Sequence, residues 1–198
     1  MFLSLLPALT LPFLLPFLLA ACAQLPGTHP EHSAMPRPAR AAIGGFLLTG
    51  RVAVSQSQQR HAVNITWQHS AARDEILLAT PLGQGIAELT RDARGAHLHT
   101  AERQEFNAPN WEELAVQVFG FPLPLSALPR WLLAEIPANA LGVNYDSVGR
   151  PQRMVADGWQ VAYLEYGSNA ADALPALIEL KRAEIEVRWK IDDWQLSP

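Results

Sequence analysis

Few residues in this chain have the type and spacing that bond-making chemistry requires. Cys22 is the single cysteine, which excludes an internal disulfide and any multi-cysteine metal site. His97 and His99 stand two apart on one face of a strand-like run, a spacing at which two imidazoles can share a metal. Without a nearby third ligand they read as surface polar groups. Glu112–Glu113 and Asp192–Asp193 are adjacent pairs, so their side chains diverge and neither makes an acid–base couple. The first reads as charge at a helix start, the second as a loop. There is no nucleophile elbow, phosphate loop or zinc motif. The expectation is a protein without a cofactor, a metal or a catalytic residue. A net charge of −4 without a basic block argues against nucleic acid as a partner.

The remaining chemistry is done to the chain rather than by it. Residues 1–21 are apolar apart from Ser4 and Thr10, with Pro7, Pro12 and Pro16 opposing one continuous helix. The run ends Leu19-Ala20-Ala21-Cys22, small residues before a cut, as in a signal peptide. That tetrapeptide resembles the bacterial lipobox. The resemblance implies a diacylglycerol on the Cys22 sulfur, cleavage before Cys22 and acylation of the new amine. Met1-Phe2-Leu3-Ser4 lacks the usual basic residue, which leaves an upstream start or an uncleaved anchor as alternatives. Each buried CH₂ of an acyl chain contributes about 0.8 kcal/mol, so several chains hold a protein firmly on a membrane. Ala23, in place of the Asp that retains enterobacterial lipoproteins in the inner membrane, points to the outer membrane, facing the periplasm. Residues 22–45 carry Pro26, Pro30, Pro36, Pro38 and a closing Gly44–Gly45, and read as a tether. Ala39 to Ala42 is long enough for one helical turn.

Residues 46–198 read as one domain, with enough of the chain's 49% apolar residues to form a core. Phe46, Leu48, Val52 and Val54 share one strand face, and Val63, Ile65 and Trp67 alternate along the next run. Glu184 to Ile191 alternates charged and apolar, the mark of an antiparallel strand with one wet face. Asp157–Gly158 suits a tight hairpin turn. Two helices interrupt the strands. The first is capped by Asn107 or Asn110 and stopped by Gly120; the second runs from a Ser126 cap through Ala134. Strands resume with Asn144 to Val148. The fold class is therefore α+β: a curved antiparallel sheet of about ten or eleven short strands, with helices over its concave face. Such a sheet with a lid can enclose an apolar cavity. The run from Ile76 to Leu89 reads as a hairpin whose tip is Pro81-Leu82-Gly83. A leucine at that tip either folds back onto the core or faces a membrane or another apolar partner.

Gly50-Arg51-Val52, Trp67, Thr80-Pro81-Leu82-Gly83, Phe121-Pro122-Leu123-Pro124-Leu125, Trp131, Gly158-Trp159-Gln160-Val161-Ala162-Tyr163 and Trp189 occur in that order. Together with the lipobox they resemble the LolB family of outer-membrane lipoprotein receptors. Two departures are the short Met35–Gly45 stretch, where the family has a helix, and Ala134-Glu135-Ile136-Pro137, where it commonly has a glycine. The resemblance implies a half-barrel lidded by helices, holding a hydrophobic cavity for acyl chains. It implies a monomer that accepts acylated lipoproteins from the periplasmic carrier LolA and delivers them into outer-membrane lipid without nucleotide hydrolysis. The loop Pro81, Leu82 and Gly83 would act in membrane delivery. The cavity would draw on Val52, Ile65, Trp67, Leu114, Val118, Leu128, Trp131, Leu132, Val161 and Trp189. A lipid-binding or scaffold lipoprotein without transfer activity is the alternative, and a hydrolase ranks behind both.

Overall fold

The computed structural model describes residues 40–57 and 59–197. The expected signal peptide, Cys22 and most of the expected tether lie outside the described residues. After a 3-10 turn at Arg40–Ala42 come β1 (Gly45–Gln56), β2 (Gln59–Ser70), β3 (Asp74–Ala79), β4 (Gly85–Asp92), β5 (Gly95–Thr100) and β6 (Glu105–Ala108). Helices α1 (Trp111–Phe119) and α2 (Leu128–Leu132) follow. The chain then returns through β7 (Leu141–Tyr145), β8 (Pro151–Ala156), β9 (Trp159–Tyr166), β10 (Pro175–Arg182) and β11 (Ile185–Ser197).

All eleven strands form one antiparallel sheet, in the order β6-β5-β4-β3-β2-β1-β11-β10-β9-β8-β7. The pairing of β1 with β11 joins the two hairpin series, and among the described residues β6 and β7 are the open edges. Because side chains alternate along strands, register fixes which of them share a face. One inward row runs Leu48, Trp67, Ile76, Leu89, Leu98 and Phe106 across β1 to β6. A second runs Val54, Val187, Leu180, Val161 and Met154 across β1 and β11 to β8. Both rows belong to one core, joined by Trp111, Leu114, Trp131 and Leu132 of the helices. The described residues all fall in one compact unit around this core, the property that lets a domain fold on its own.

Several local expectations need correction. The second helix begins at Leu128, not behind Ser126: the backbone N–H groups of Ala127 and Leu128 both donate to the Pro124 carbonyl, and no side chain caps the helix. Asp192 and Asp193 are not a loop but part of β11. There the register slips between Thr49 and Gly50, so one extra residue bulges from β11 and breaks the alternation. A Cβ on Gly50 would stand 2.2 Å from the Lys190 carbonyl, so glycine is required where β1 meets the bulge. Strand β7 ends at Tyr145, and Val148 lies in the following turn, which Asp146 organises by accepting from the backbone N–H groups of Val148 and Arg150. The first helix is capped by Asn110 rather than Asn107: its side chain accepts from Glu113 N at 2.9 Å and donates to Glu113 Oε1 at 2.8 Å. Gly120 closes that helix at φ 78°.

The helices are fastened to the sheet at two buried polar points. Asp74, 1% exposed at the start of β3, accepts from Trp67 Nε1 at 2.9 Å, Arg91 Nε at 2.6 Å and Trp111 Nε1 at 3.4 Å, and meets His69 Nδ1. Trp111 is the first residue of α1, so this carboxylate ties α1 to β2, β3 and β4. On the other side, Tyr163 Oη of β9 donates to the Trp131 carbonyl of α2 at 2.9 Å. Burial pushes the Asp74 carboxyl up, but the hydrogen bonds from His69, Trp67 and Arg91 outweigh it and hold the group below its ordinary 3.8. A carboxylate with a lowered folded-state pKa contributes stability that is complete above the unfolded value and is lost as pH falls through the folded one. Asp74→Ala is expected to cost about 3–5 kcal/mol at neutral pH in urea unfolding, because it strands the buried indole donors of Trp67 and Trp111 and leaves the half-buried Arg91 guanidinium unpaired. The difference between variant and parent should shrink below about pH 4.

Candidate functional site

Leu82 sits on a turn that its neighbours make rigid. The Thr80 carbonyl accepts from Gly83 N at 2.8 Å, closing a four-residue turn with Pro81 at its favoured second position. The same carbonyl accepts from Asn64 Nδ2 at 3.1 Å, which fastens the turn to β2. Thr80 N donates to the Gln84 carbonyl at 2.8 Å, and Thr80 Oγ1 accepts from Gln84 N at 3.2 Å. Gly83 takes φ 87°, where a side chain would be strained. Leu82 is 98% exposed, the highest value among the described large apolar side chains, so it does not fold back onto the core.

The end of the sheet that carries Leu82 also carries an apolar pocket of about 80 Å³. Its lining comes from Val52, Val54, Ile65, Ile76, Leu78, Leu89, Leu180, Val187 and Trp189 of the sheet, and from Phe119, Leu123, Pro124, Leu125 and Leu128 of the helical segment. Register places it: Val54 pairs with Val187 near the β1–β2 and β10–β11 turns, and Leu78 lies two residues before Thr80. Leu89 of β4 and Leu180 of β10 line this one pocket, although the five strand spacings between β4 and β10 would separate them by about 24 Å in a flat sheet. The sheet therefore curls toward its apolar face.

Of the residues expected to line a cavity, the structure brings Val52, Ile65, Leu128 and Trp189 to this pocket. Trp67, Leu114, Trp131, Leu132 and Val161 are buried in the solid core instead, and Val118 is partly buried against it. The sequence reading missed Val54, Ile76, Leu78, Leu89, Leu180 and Val187, which share the alternation of the core rows. It also missed Leu123, Pro124 and Leu125, whose apolar Pro-rich run was the available signal. Phe119, 40% exposed, stands in the wall at the C-terminal end of α1 and pairs with Phe121 at a ring separation of 6.1 Å. A groove on the outer face, lined in part by Leu77, Ala79, Ile86 and His99, runs beneath the Leu82 turn. Cys22 lies outside the described residues. His97 and His99 are occupied by Asn107 and Glu105 on the neighbouring strand, and among the described residues no cluster of metal-ligating side chains occurs.

The pocket, lined by apolar side chains, can bind apolar chains, and the exposed Leu82 can touch an apolar phase. Among the described residues no helix is long and apolar enough to cross a membrane.

Residues 45–194 match the family model described as outer membrane lipoprotein LolB. The outer-membrane lipoprotein LolB of Azoarcus sp. (strain BH72) is 38% identical over 179 residues, covering 90% of each chain. That of Nitrosomonas europaea is 39% identical over 153 residues, covering 76% of this chain and 72% of the other. Among solved structures, a DUF1329 family protein from Desulfovibrio piger shares the fold at a TM-score of 0.51 and 6% identity, covering 79% of this chain and 87% of that one.

Because Leu82 makes no packing contribution, Leu82→Glu should leave stability within about 0.5 kcal/mol of the parent in urea unfolding. A larger loss would mean that the side chain packs in solution.

Proposed function

The chain belongs to the LolB family of outer-membrane lipoproteins, which serve lipoprotein localisation, and from that premise we propose that it accepts acylated lipoproteins from a LolA-type periplasmic carrier and inserts them into the outer membrane. Cys22 carries the lipid anchor, and residues 22–45 tether the body, a monomer, to the membrane. The helices act as a lid over the concave face, and the pocket beneath them is the acyl-chain cavity. No nucleotide is hydrolysed: chains pass from one dry pocket to another and then into lipid, and the hydrophobic effect penalises any exit to water along the way.

The observation that carries this reading is the coincidence of an all-apolar pocket and a rigidly held, fully exposed leucine at the same end of the sheet. Burying one leucine is worth about 1.5–3 kcal/mol, too little to anchor a protein but enough to aim the pocket at a bilayer that the acylated cysteine already holds nearby. Leu82→Glu separates the two halves of the activity. The variant should accept an acylated protein from the carrier as the parent does, and deliver it to vesicles at least about tenfold more slowly, the effect of losing about 1.4 kcal/mol. Normal delivery by the variant would remove Leu82 from the mechanism. Failure of the parent to accept cargo at all would leave a lipid-binding or scaffold lipoprotein.

A further inference from the structure

Trp189, which lines the pocket, carries a polar hydrogen that has no partner and, with the wall closed, no exposed surface. Every residue lining it has an apolar side chain except that Trp189 carries an indole N–H. Trp189 is buried, and its Nε1 has no hydrogen-bond acceptor. Other indoles in the chain are paired: Trp67 and Trp111 donate to Asp74, and Trp194 donates to the Pro175 carbonyl at 3.1 Å. The cross-strand neighbours of Trp189 are Val52 and Ile178, which offer no side-chain acceptor. The great majority of buried donors in proteins are paired, because an unpaired one forfeits its hydration with no return.

The pocket is also too small for its occupant. At about 80 Å³ it falls well short of the roughly 300 Å³ at which sites for organic ligands begin. An entering chain must push a wall aside. The sheet wall is held by strand ladders, whereas the stretch from Phe119 to Ala127 has none: it is held by the burial of Leu123 and Leu125, the left-handed turn at Gly120, backbone bonds from Leu125 to Leu123 and from Ala127 and Leu128 to Pro124, and Ser126 N donating to Glu112 Oε1 at 3.2 Å. Its two ends are fixed, by Trp111 on Asp74 and by Trp131 on Tyr163. The middle is the part that yields, and Trp189 lines the pocket opposite it.

We infer that the Trp189 indole N–H is a specificity determinant of the pocket: it donates to the carbonyl oxygen of an ester-linked acyl chain that enters beneath Phe119–Ala127. This rests on the reading of the pocket as an acyl-chain site. A hydrocarbon tail brings no acceptor into a dry pocket, while an acyl chain brings one at its head. The donor therefore distinguishes an acyl chain from other apolar matter and sets how deep the chain sits. The same carbonyl chemistry is found in a lipoprotein's acyl groups and in a phospholipid.

The test uses the body His32–Pro198 and two pairs of ligands: a dipalmitoylglyceryl-cysteine peptide with its dihexadecyl ether counterpart, and a palmitoyl lysophosphatidylethanolamine with its ether counterpart. The parent should bind an ester about tenfold more tightly than the matching ether, the scale of one net hydrogen bond. Trp189→Phe should reduce the ester to the affinity of the ether and leave the ether unchanged. The pair that shows this difference identifies the source of the chain. In the parent, the Trp189 indole N–H resonance should move on adding the ester and hold still on adding the ether, a readout that needs no variant to fold. Equal binding of ester and ether by the parent, equal loss of both in Trp189→Phe, or an unmoved indole resonance would overturn the donor's role. Failure of all four ligands to bind would instead overturn the acyl-chain reading of the pocket.

Discussion

An eleven-stranded sheet with one apolar face has more surface to bury than its helices can cover, and the rest of the structure answers that imbalance. At about 4.8 Å per strand the sheet spans about 48 Å if laid flat. The nine residues of α1 reach about 14 Å, and α2 adds only five residues. Curling the sheet closes part of the gap by turning the inner rows of β4 and β10 toward each other. Large side chains close more of it, with Trp67, Trp111, Trp131 and Trp159 fully buried. What remains uncovered is the pocket at the Leu82 end and the half-exposed Phe119 beside it. The pocket is thus the remainder of a packing problem, located where the helical cover is thinnest.

The two polar fastenings decide where that remainder falls. Asp74 lies at the end of the sheet opposite Leu82 and gathers Trp67, His69, Arg91 and Trp111 there. A buried carboxylate with that many donors fixes geometry because every donor it holds would be costly to strand. The helical segment is therefore dense at one end and loose at the other. Polar groups organise the closed end, apolar groups form the open one, and the sequence of α1 carries that polarity from Trp111 to Phe119.

Much of this was legible in the residues and some was not, for identifiable reasons. Alternation in Glu184 to Ile191 and in Val63 to Trp67 gave strands and their wet faces, and Asn110 and Gly120 marked the limits of the first helix. The continuation of β11 through Asp192 and Asp193 was hidden because the bulge opposite Gly50 shifts the phase of the pattern. The second helix was overextended because Ser126 looks like a cap, while the Pro124 carbonyl does that work from the backbone. Periodicity told which face a side chain takes, but not whether protein or a void stands opposite. Trp67 and Val187 carry the same signal, yet one is sealed in the core and the other lines the pocket. Leu82 was conspicuous as an apolar residue in a turn, whereas the four hydrogen bonds through Thr80 that hold the turn needed coordinates.

Among the described residues no strand pairs with the outer edges of β6 and β7, and that has a mechanical meaning. In a closed barrel, strand number and shear dictate the radius, and the interior cannot swell without breaking a ladder. Here no ladder joins the first strand of the series to the last. The radius is a soft coordinate: small changes of twist, spread over ten strand pairings, can widen the interior while every inter-strand hydrogen bond persists. Such a sheet is stiff along its strands and more compliant across its width, so its curvature can follow a displacement of the Phe119–Ala127 wall without a ladder breaking.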